Sequence, residues 1–269
     1  MKWGIIGTGN MGSMLTSSLV SSQALQATDL MIYNRSPEKA LKLQAKYTGV
    51  TVATSLKEIQ SNCDILFICV KPHHYKTILQ ELENDFTKQQ CLISITSPIS
   101  VDELEARTPC QVARIVPSIT NHAHAGVSLF TFGKRITKER KELLLETFAA
   151  ISTPVEVEEE HIRVASDIVS CGPAFISFLL SNWITAAQDV AGISEAKATQ
   201  LTENMMIGLG QLLSKKIFTL EELMEKVTVK GGVTGEGLKA MENNLGVLFY
   251  EMFKATQSKH KDDKDSIEL

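Results

Sequence analysis

The chain has 269 residues, 43% hydrophobic and 22% charged, with a formal charge of −4. This is length for one large domain or two ordinary ones, with the composition of a soluble globular protein, and the acidic balance gives no electrostatic reason to expect nucleic acid. No apolar run reaches about 18 residues and no basic segment followed by an apolar one opens the chain, so neither a membrane span nor a secretory leader is expected. The cysteines Cys63, Cys69, Cys91, Cys110 and Cys171 form no C-x-x-C pair. Several sit in or beside apolar strands and read as reduced core residues of a cytoplasmic protein.

In chain order, the apolar run Trp3–Ile6 ends in Gly7-Thr8-Gly9-Asn10-Met11-Gly12, and a helical pattern (Met14, Leu15, Leu19, Val20) follows at once. A buried strand, a tight turn and a helix in that order make G-x-G-x-x-G a dinucleotide signature rather than a chance spacing. Gly7 permits the turn, Gly9 lets backbone approach a pyrophosphate, and Gly12 lets helix pack against strand. The free N–H groups and positive dipole end of the helix then face the phosphates.

A second strand, Asp29–Tyr33, ends in Asn34-Arg35-Ser36-Pro37. An NAD-binding protein places an acid here for the ribose 2′-hydroxyl, and none is present. Arg35 and Ser36 supply a cation and a hydroxyl, which suits the 2′-phosphate of NADP. NADPH is therefore the expected cofactor, with NADH a weaker substitute. The alternative is a helix cap beside a surface arginine.

A helix is expected over Glu38–Tyr47 and a brief strand over Thr51–Ala53. The apolar run Ile65–Val70 fits a parallel strand covered on both faces. It delivers Lys71-Pro72-His73-His74 to the carboxyl edge of the sheet, where ligands bind in open α/β folds. Lys71 then lies near the cofactor, or is a solvated lysine before a helix-starting proline. Strand Cys91–Ile95 brings Thr96 and Ser97 to the same edge, and Gln111–Val116 brings Pro117-Ser118-Ile119-Thr120. The pairs His73-His74 and His122-x-His124 have no third ligand at metal spacing, so no metal is expected. Strands at Val127–Phe132 and Pro154–Val157, with a helix over Lys138–Ala149, complete a doubly wound parallel sheet.

Beyond Glu158 only helical patterns remain: Ile162–Val169, Pro173–Val190, Ser194–Leu213, Leu220–Val227 and Val233–Phe253. The expected division is a Rossmann-type domain over 1–158, a helical domain over 159–258, and a charged, disordered tail over 259–269. The second helix is apolar nearly all round and should be buried. Too few helices share that load, which predicts a homodimer. The stretch Val229-Lys230-Gly231-Gly232-Val233-Thr234 is either punctuation between helices or a carboxylate cradle at a helix N-terminus, with the Thr234 hydroxyl beside it.

Together these segments resemble the pyrroline-5-carboxylate reductase family. The matching pieces are Ile5–Gly12, Val70-Lys71-Pro72-His73, Arg114-Ile115-Val116-Pro117, Ser170–Phe175 and Lys230-Gly231-Gly232-Val233-Thr234, which span almost the whole chain. The resemblance implies an N-terminal Rossmann domain, a helical domain interleaved with its dimer mate, and further assembly into rings of dimers. It implies NAD(P)H-dependent reduction of a cyclic imine by direct hydride transfer. Thr234 matches the threonine that hydrogen-bonds the nitrogen side of the substrate, and Gly231, Gly232 and Val233 the turn that holds its carboxylate. Val70, Lys71, Pro72, Thr96 and Ser97 fall on the cofactor side, Lys71 also among the catalytic candidates. Lys230 stands where hydroxyl contacts are lost and offers the carboxylate a cation.

Three substrate-side loops depart from the family. Ser-Pro-Gly-Gly-Thr-Thr becomes Val229–Thr234, Met-Pro-Asn-Thr-Pro becomes Val116–Thr120, and Ala-Gly becomes Thr96-Ser97. With these changes the chain looks most like ComER, the reductase-like branch associated with late-competence genes. An NADP-binding paralogue with a regulatory role is thus the competing expectation to a reductase.

Overall fold

The computed structural model describes residues 1–267. It divides into two compact units, Met1–Pro173 with the chain from Ala255 onward, and Ala174–Lys254. The first unit therefore holds residues 159–173 and the C-terminal segment besides the expected 1–158.

Eight strands form one sheet in the order β3-β2-β1-β4-β5-β6-β7-β8, with β1 Trp3–Ile6, β2 Leu30–Tyr33, β3 Thr51–Val52, β4 Ile65–Ile68, β5 Cys91–Ser94, β6 Gln111–Val116, β7 Val127–Phe132 and β8 Thr153–Glu156. The helices of this unit are α1 Asn10–Ser21, α2 Pro37–Lys46, α3 Leu56–Asn62, α4 Tyr75–Leu82, α5 Val101–Arg107, α6 Lys138–Ala149 and α7 Ile162–Ser166. Successive strand residues supply opposite faces. Ile5, Phe67 and Ile93 join Met14, Leu15, Leu19 and Phe148 in one core. Ile6, Leu66, Ile68 and Leu92 join Ile59, Tyr75, Leu79 and Leu104 in the other. With both faces covered, continuous apolar runs are required, as the sequence shows.

All pairings are parallel except β6 with β7, where Ala113 lies opposite Phe132 and Val116 opposite Leu129. Only residues 117–126 separate these strands, too short a link for a crossover of a dozen or more residues. The first strand pair β1–β2 and the neighbour β4 lead away in opposite directions, so the crevice between β1 and β4 is the topological switch point.

Three helices are absent from the periodicity reading, two of them fixed by their caps and the third by its buried face. Ser55 accepts the Glu58 amide at the start of α3, and Ser100 with Glu103 forms a full capping box on α5. In α4, Tyr75, Ile78, Leu79 and Leu82 are buried on one face.

Past α7, a π-helical turn spans Asp167–Cys171 and leads into α8, Gly172–Ala191. The stretch Glu159–Ala191 is long and apolar enough to cross a membrane by length and composition, with an 18-residue window of mean hydropathy 1.6. Polar Ser170, Ser177, Ser181 and Asn182 break the unbroken run that such a span would show in sequence. No residue of α8 is buried within the chain. The burial expected of it is thus not supplied by the chain itself. The remaining helices are α9 Glu195–Ser214, α10 Leu220–Val227, α11 Val233–Leu245 and α12 Leu248–Ser266. The single helix expected over Val233–Phe253 is two, broken at Gly246 with φ +47°, a value that favours glycine.

The tail expected to be disordered over 259–269 is helical as far as Ser266; Glu268 and Leu269 lie outside the described residues. Lys259 and Asp263 pair at 2.7 Å along it, and Ile267 packs against the core that contains Ile99 and Val101.

Candidate active site

The turn between β1 and α1 has the geometry that its glycines allow. Gly7 sits at φ +99°, and a Cβ there would fall 2.7 Å from the Cys69 carbonyl oxygen. Its amide donates to the Tyr33 carbonyl at 2.7 Å, tying the turn to the end of β2. A Cβ on Gly12 would fall 1.9 Å from the Gly7 carbonyl oxygen, whereas one on Gly9 would meet nothing within 4 Å. Gly7 and Gly12 are therefore demanded by the protein, and Gly9 leaves open space. Gly9 is also the N-cap of α1 and offers no side-chain acceptor to its amides. An anion approaching there meets uncovered N–H groups at the positive end of a helix.

The Thr8 amide donates to Asn34 Oδ1 at 2.9 Å, and Asn34 Nδ2 donates to the Ser36 carbonyl at 2.8 Å. Asn34 thus holds the fingerprint against the exit of β2. The Thr8 hydroxyl is buried without a partner. Asn10 is exposed, while Met11 packs against the core and offers the site only its backbone.

Arg35 and Ser36 are exposed, and Ser36 caps α2 without a side-chain hydrogen bond. Lys71 is exposed in extended backbone before the short turn Pro72–His74. The rings of His73 and His74 lie 4.1 Å apart. Burial, then the charges of His73, Arg35 and Lys71, hold His74 below the usual imidazole range. No carboxylate pairs with Arg35 or Lys71 among the described residues. An unneutralised cluster of cations beside an open helix N-terminus fits a dinucleotide carrying an extra phosphate. Val70 flanks Gly7, its Cγ1 2.8 Å from where a Cβ on that glycine would be.

At the end of β5 the Thr96 amide donates to Ser94 Oγ at 3.3 Å. The Ser97 carbonyl accepts from Arg114 at 3.1 Å, and its hydroxyl from Arg163 at 3.1 Å. The Ser97 side chain is therefore committed to the protein, and what it offers the cofactor edge is the placement of its turn. Arg114 is fully buried on β6, where it also donates to the Ile99 carbonyl at 3.0 Å and pairs with Glu159. Arg163 pairs with the buried Asp167 at 2.5 Å. These arginines were not among the sequence candidates. For Arg114 the signal was present, because a charge in the middle of an apolar strand must find partners.

In the second unit, Lys230, Gly231, Gly232, Val233 and Thr234 fall in one turn. Gly231 has φ +75° with open space around it. Gly232 is the N-cap of α11 without a side-chain acceptor, and its amide donates to the Val229 carbonyl at 2.9 Å. Lys230 and Val233 are exposed and Thr234 is half-buried. This is a second glycine-led helix start with uncovered amides, now beside a hydroxyl and a cation. Among the described residues, no group of three or more His, Cys, Asp or Glu side chains is placed to hold a metal.

Comparison with known proteins agrees with this geometry. Residues 159–263 match the family model for pyrroline-5-carboxylate reductase dimerisation. Residues 2–98 match that for NADP oxidoreductase, coenzyme F420-dependent. The chain is 44% identical over 267 residues to ComE operon protein 4 of Bacillus subtilis (strain 168), covering 99% of this chain and 98% of that protein. It is 29% identical to pyrroline-5-carboxylate reductase 3 of the same organism, covering 96% and 95% of the two chains. Among solved structures, a pyrroline-5-carboxylate reductase from Coxiella burnetii superposes with a TM-score of 0.87 at 24% identity, over 97% of this chain and 98% of that one. The Plasmodium falciparum pyrroline carboxylate reductase with NADP bound gives 0.84 at 22% identity, over 98% and 97%. At these identities the structures speak for the fold alone. The chain belongs to the pyrroline-5-carboxylate reductase family of NADP-dependent oxidoreductases, with that family's dimerisation domain in its C-terminal part.

Proposed function

We propose that the protein reduces a cyclic imine, 1-pyrroline-5-carboxylate or a near analogue, as a cytoplasmic homodimer. The observation that carries this reading is the turn Gly231–Thr234, an uncapped helix start with an exposed lysine, Lys230, just before it and a hydroxyl residue, Thr234, in its first turn. The amides after Gly232 and the Lys230 cation suit a substrate carboxylate, and the Thr234 hydroxyl suits the ring nitrogen beside it. In the first unit, Gly9 to Gly12, Arg35 and Ser36 would hold the phosphates of NADPH, and Lys71 adds a cation at the cofactor edge. Bound NADPH supplies the hydride. A protonated imine is already electrophilic, so the protein's part is to hold the two reactants face to face and exclude water rather than to supply a strong acid. Further assembly into rings of dimers belongs to the same proposal.

One observation favours a second reading, an NADP-binding paralogue with a regulatory or competence-related role. Ser118 stands where the family has a substrate-facing asparagine, and here it is fully buried. Its amide donates to Asn121 Oδ1 at 2.8 Å and its hydroxyl to the Val169 carbonyl at 2.8 Å. That loop is thus spent on the fold. The likeness to ComE operon protein 4 points the same way.

NADPH oxidation with pyrroline-5-carboxylate, run beside a fluorescence titration of NADPH, separates the two. Turnover of about 1–1000 per second supports a reductase, and Thr234→Ala should then lower kcat while NADPH still binds. Tight NADPH binding with no turnover on a panel of cyclic imines supports the second reading.

A further inference from the structure

The C-terminal helix reaches the cofactor edge by two polar routes, both within the first unit. Along the first, Thr256 Oγ1 donates to Asp167 Oδ2 at 2.8 Å. Asp167 Oδ1 accepts from Arg163 at 2.5 Å, and Arg163 donates to the Ser97 hydroxyl at 3.1 Å. Along the second, His260 lies against the Ser97 backbone in the cleft that both line. Ser97 is thereby held by Arg114 and Arg163 at the exit of β5, with His260 beside it. The relay passes through the π-helical turn that carries Asp167, the widened kind of turn that recurs at functional sites.

This docking is not arranged for stability. Arg163 Nε and His260 Nε2 are buried with no partner, and a buried polar group left unpaired works against folding. An under-satisfied contact that converges on one turn of the cofactor edge calls for another reason.

We propose that Arg163, Asp167 and the C-terminal helix, through Thr256 and His260, position the Thr96–Ser97 turn for hydride transfer. The cofactor half that lies opposite the β2 side of the switch point must pass this turn, so its placement sets the distance between donor and acceptor carbons. The proposal rests on the reductase reading. The groups facing His260 are the Ser97 carbonyl, Arg163, Lys264 and Arg114, with Lys261 and Glu158, Glu159 and Glu160 lining the same cleft of about 880 Å3. Burial, and then the cations Arg163, Lys264 and Arg114, keep the ring neutral below the ordinary histidine value of 6.5. The free helix would take up a proton on a fall through that value while the docked ring resists it. Docking therefore stands at full strength above pH 6.5 and weakens below it.

Two surface-helix substitutions that leave both cores intact test this, Thr256→Val and His260→Ala in the full chain. We expect kcat to fall on the order of tenfold with the NADPH dissociation constant changed less than about twofold, and amide hydrogen exchange at residues 94–99 to rise. His260→Asn keeps an N–H toward Ser97 without a titrating ring. It should restore kcat and abolish the acid limb of the wild-type pH profile, which a purely structural histidine would not do. Unchanged kcat and unchanged exchange in both variants would overturn the proposal. If the wild type turns over no imine, the exchange measurement alone decides the positioning link, and the missing turnover counts against the reductase reading only.

Discussion

A Cβ atom on Gly12 would lie 1.9 Å from the carbonyl oxygen of Gly7, across the turn that both residues close. The contact is backbone against backbone, so no side-chain rotation relieves it, and α1 would have to move off the sheet. Gly12→Ala should lower stability by about 1–3 kcal/mol, the usual cost of overpacking, which is a fall of several degrees in Tm. NADPH binding should be lost with it. Gly9→Ala is the control, because a Cβ there meets nothing within 4 Å. Its Tm should hold while NADPH affinity alone declines. Thermal unfolding beside a fluorescence titration distinguishes the two, and an equal loss of stability in both would contradict the assigned roles.

Arg35 has no carboxylate partner among the described residues and stands at the exit of β2, where the ribose of the adenosine half belongs. Arg35→Ala should weaken NADPH roughly 10–100-fold, the worth of a hydrogen bond to a charged group, and leave NADH nearly unchanged. Equal losses for the two cofactors would remove Arg35 from 2′-phosphate recognition.

The thiols report on how firmly the first unit is closed. Burial, then the nearby Asp64 charge, pushes Cys63 up to about 12, and burial pushes Cys91 up to about 12. Burial raises Cys69 and Cys110 as well. A thiol moved from 9.0 to about 12 holds roughly a thousandth of the usual thiolate near pH 8. Iodoacetamide on the native protein should therefore label Cys171 first, the one cysteine that is not fully buried, and reach all of them only after denaturation. Rapid native labelling of Cys69 would mean that the strand beside the Gly7 turn opens in solution.

The βα turn was legible in the sequence because its demands are steric. Gly7 at φ +99° and the 1.9 Å approach at Gly12 leave no residue but glycine, so the chemistry of the turn is written in residue types. The three short helices α3, α4 and α5 escaped the periodicity reading, since seven or eight residues are too few for a period to show. The Ser55/Glu58 and Ser100/Glu103 spacings were the signal for two of them. The later part of helix α12 was missed for a different reason. The residues that dock it, Thr256, His260 and Ile267, keep helical spacing but are mostly polar, so no apolar stripe marks the face. The antiparallel turn of β7 was legible from the shortness of 117–126, had length been weighed against strand pattern. The network around Ser97 joins Arg114, Arg163, Asp167 and His260 across most of the chain, and no local pattern shows such partners.

In the second unit, Phe178 is 68% exposed, Trp183 59% and Val190 88%, and α8, which carries all three, has no buried residue. Large apolar side chains exposed on more than one side of a helix mark an interface, and the match to a dimerisation domain over residues 159–263 says what kind. Aromatic residues at the centre of such an interface carry binding energies of about 2 kcal/mol or more each. If the protein is the proposed homodimer, Phe178→Asp with Trp183→Ala should therefore leave a 29.6 kDa monomer in sedimentation velocity. The Rossmann unit builds its own core, so NADPH binding should persist in that monomer. Turnover should vanish if the loop Gly231–Thr234 serves the partner's cofactor, and remain if each chain completes its own site. A wild-type chain that already sediments as a monomer would sink the dimer, and with it the shared site.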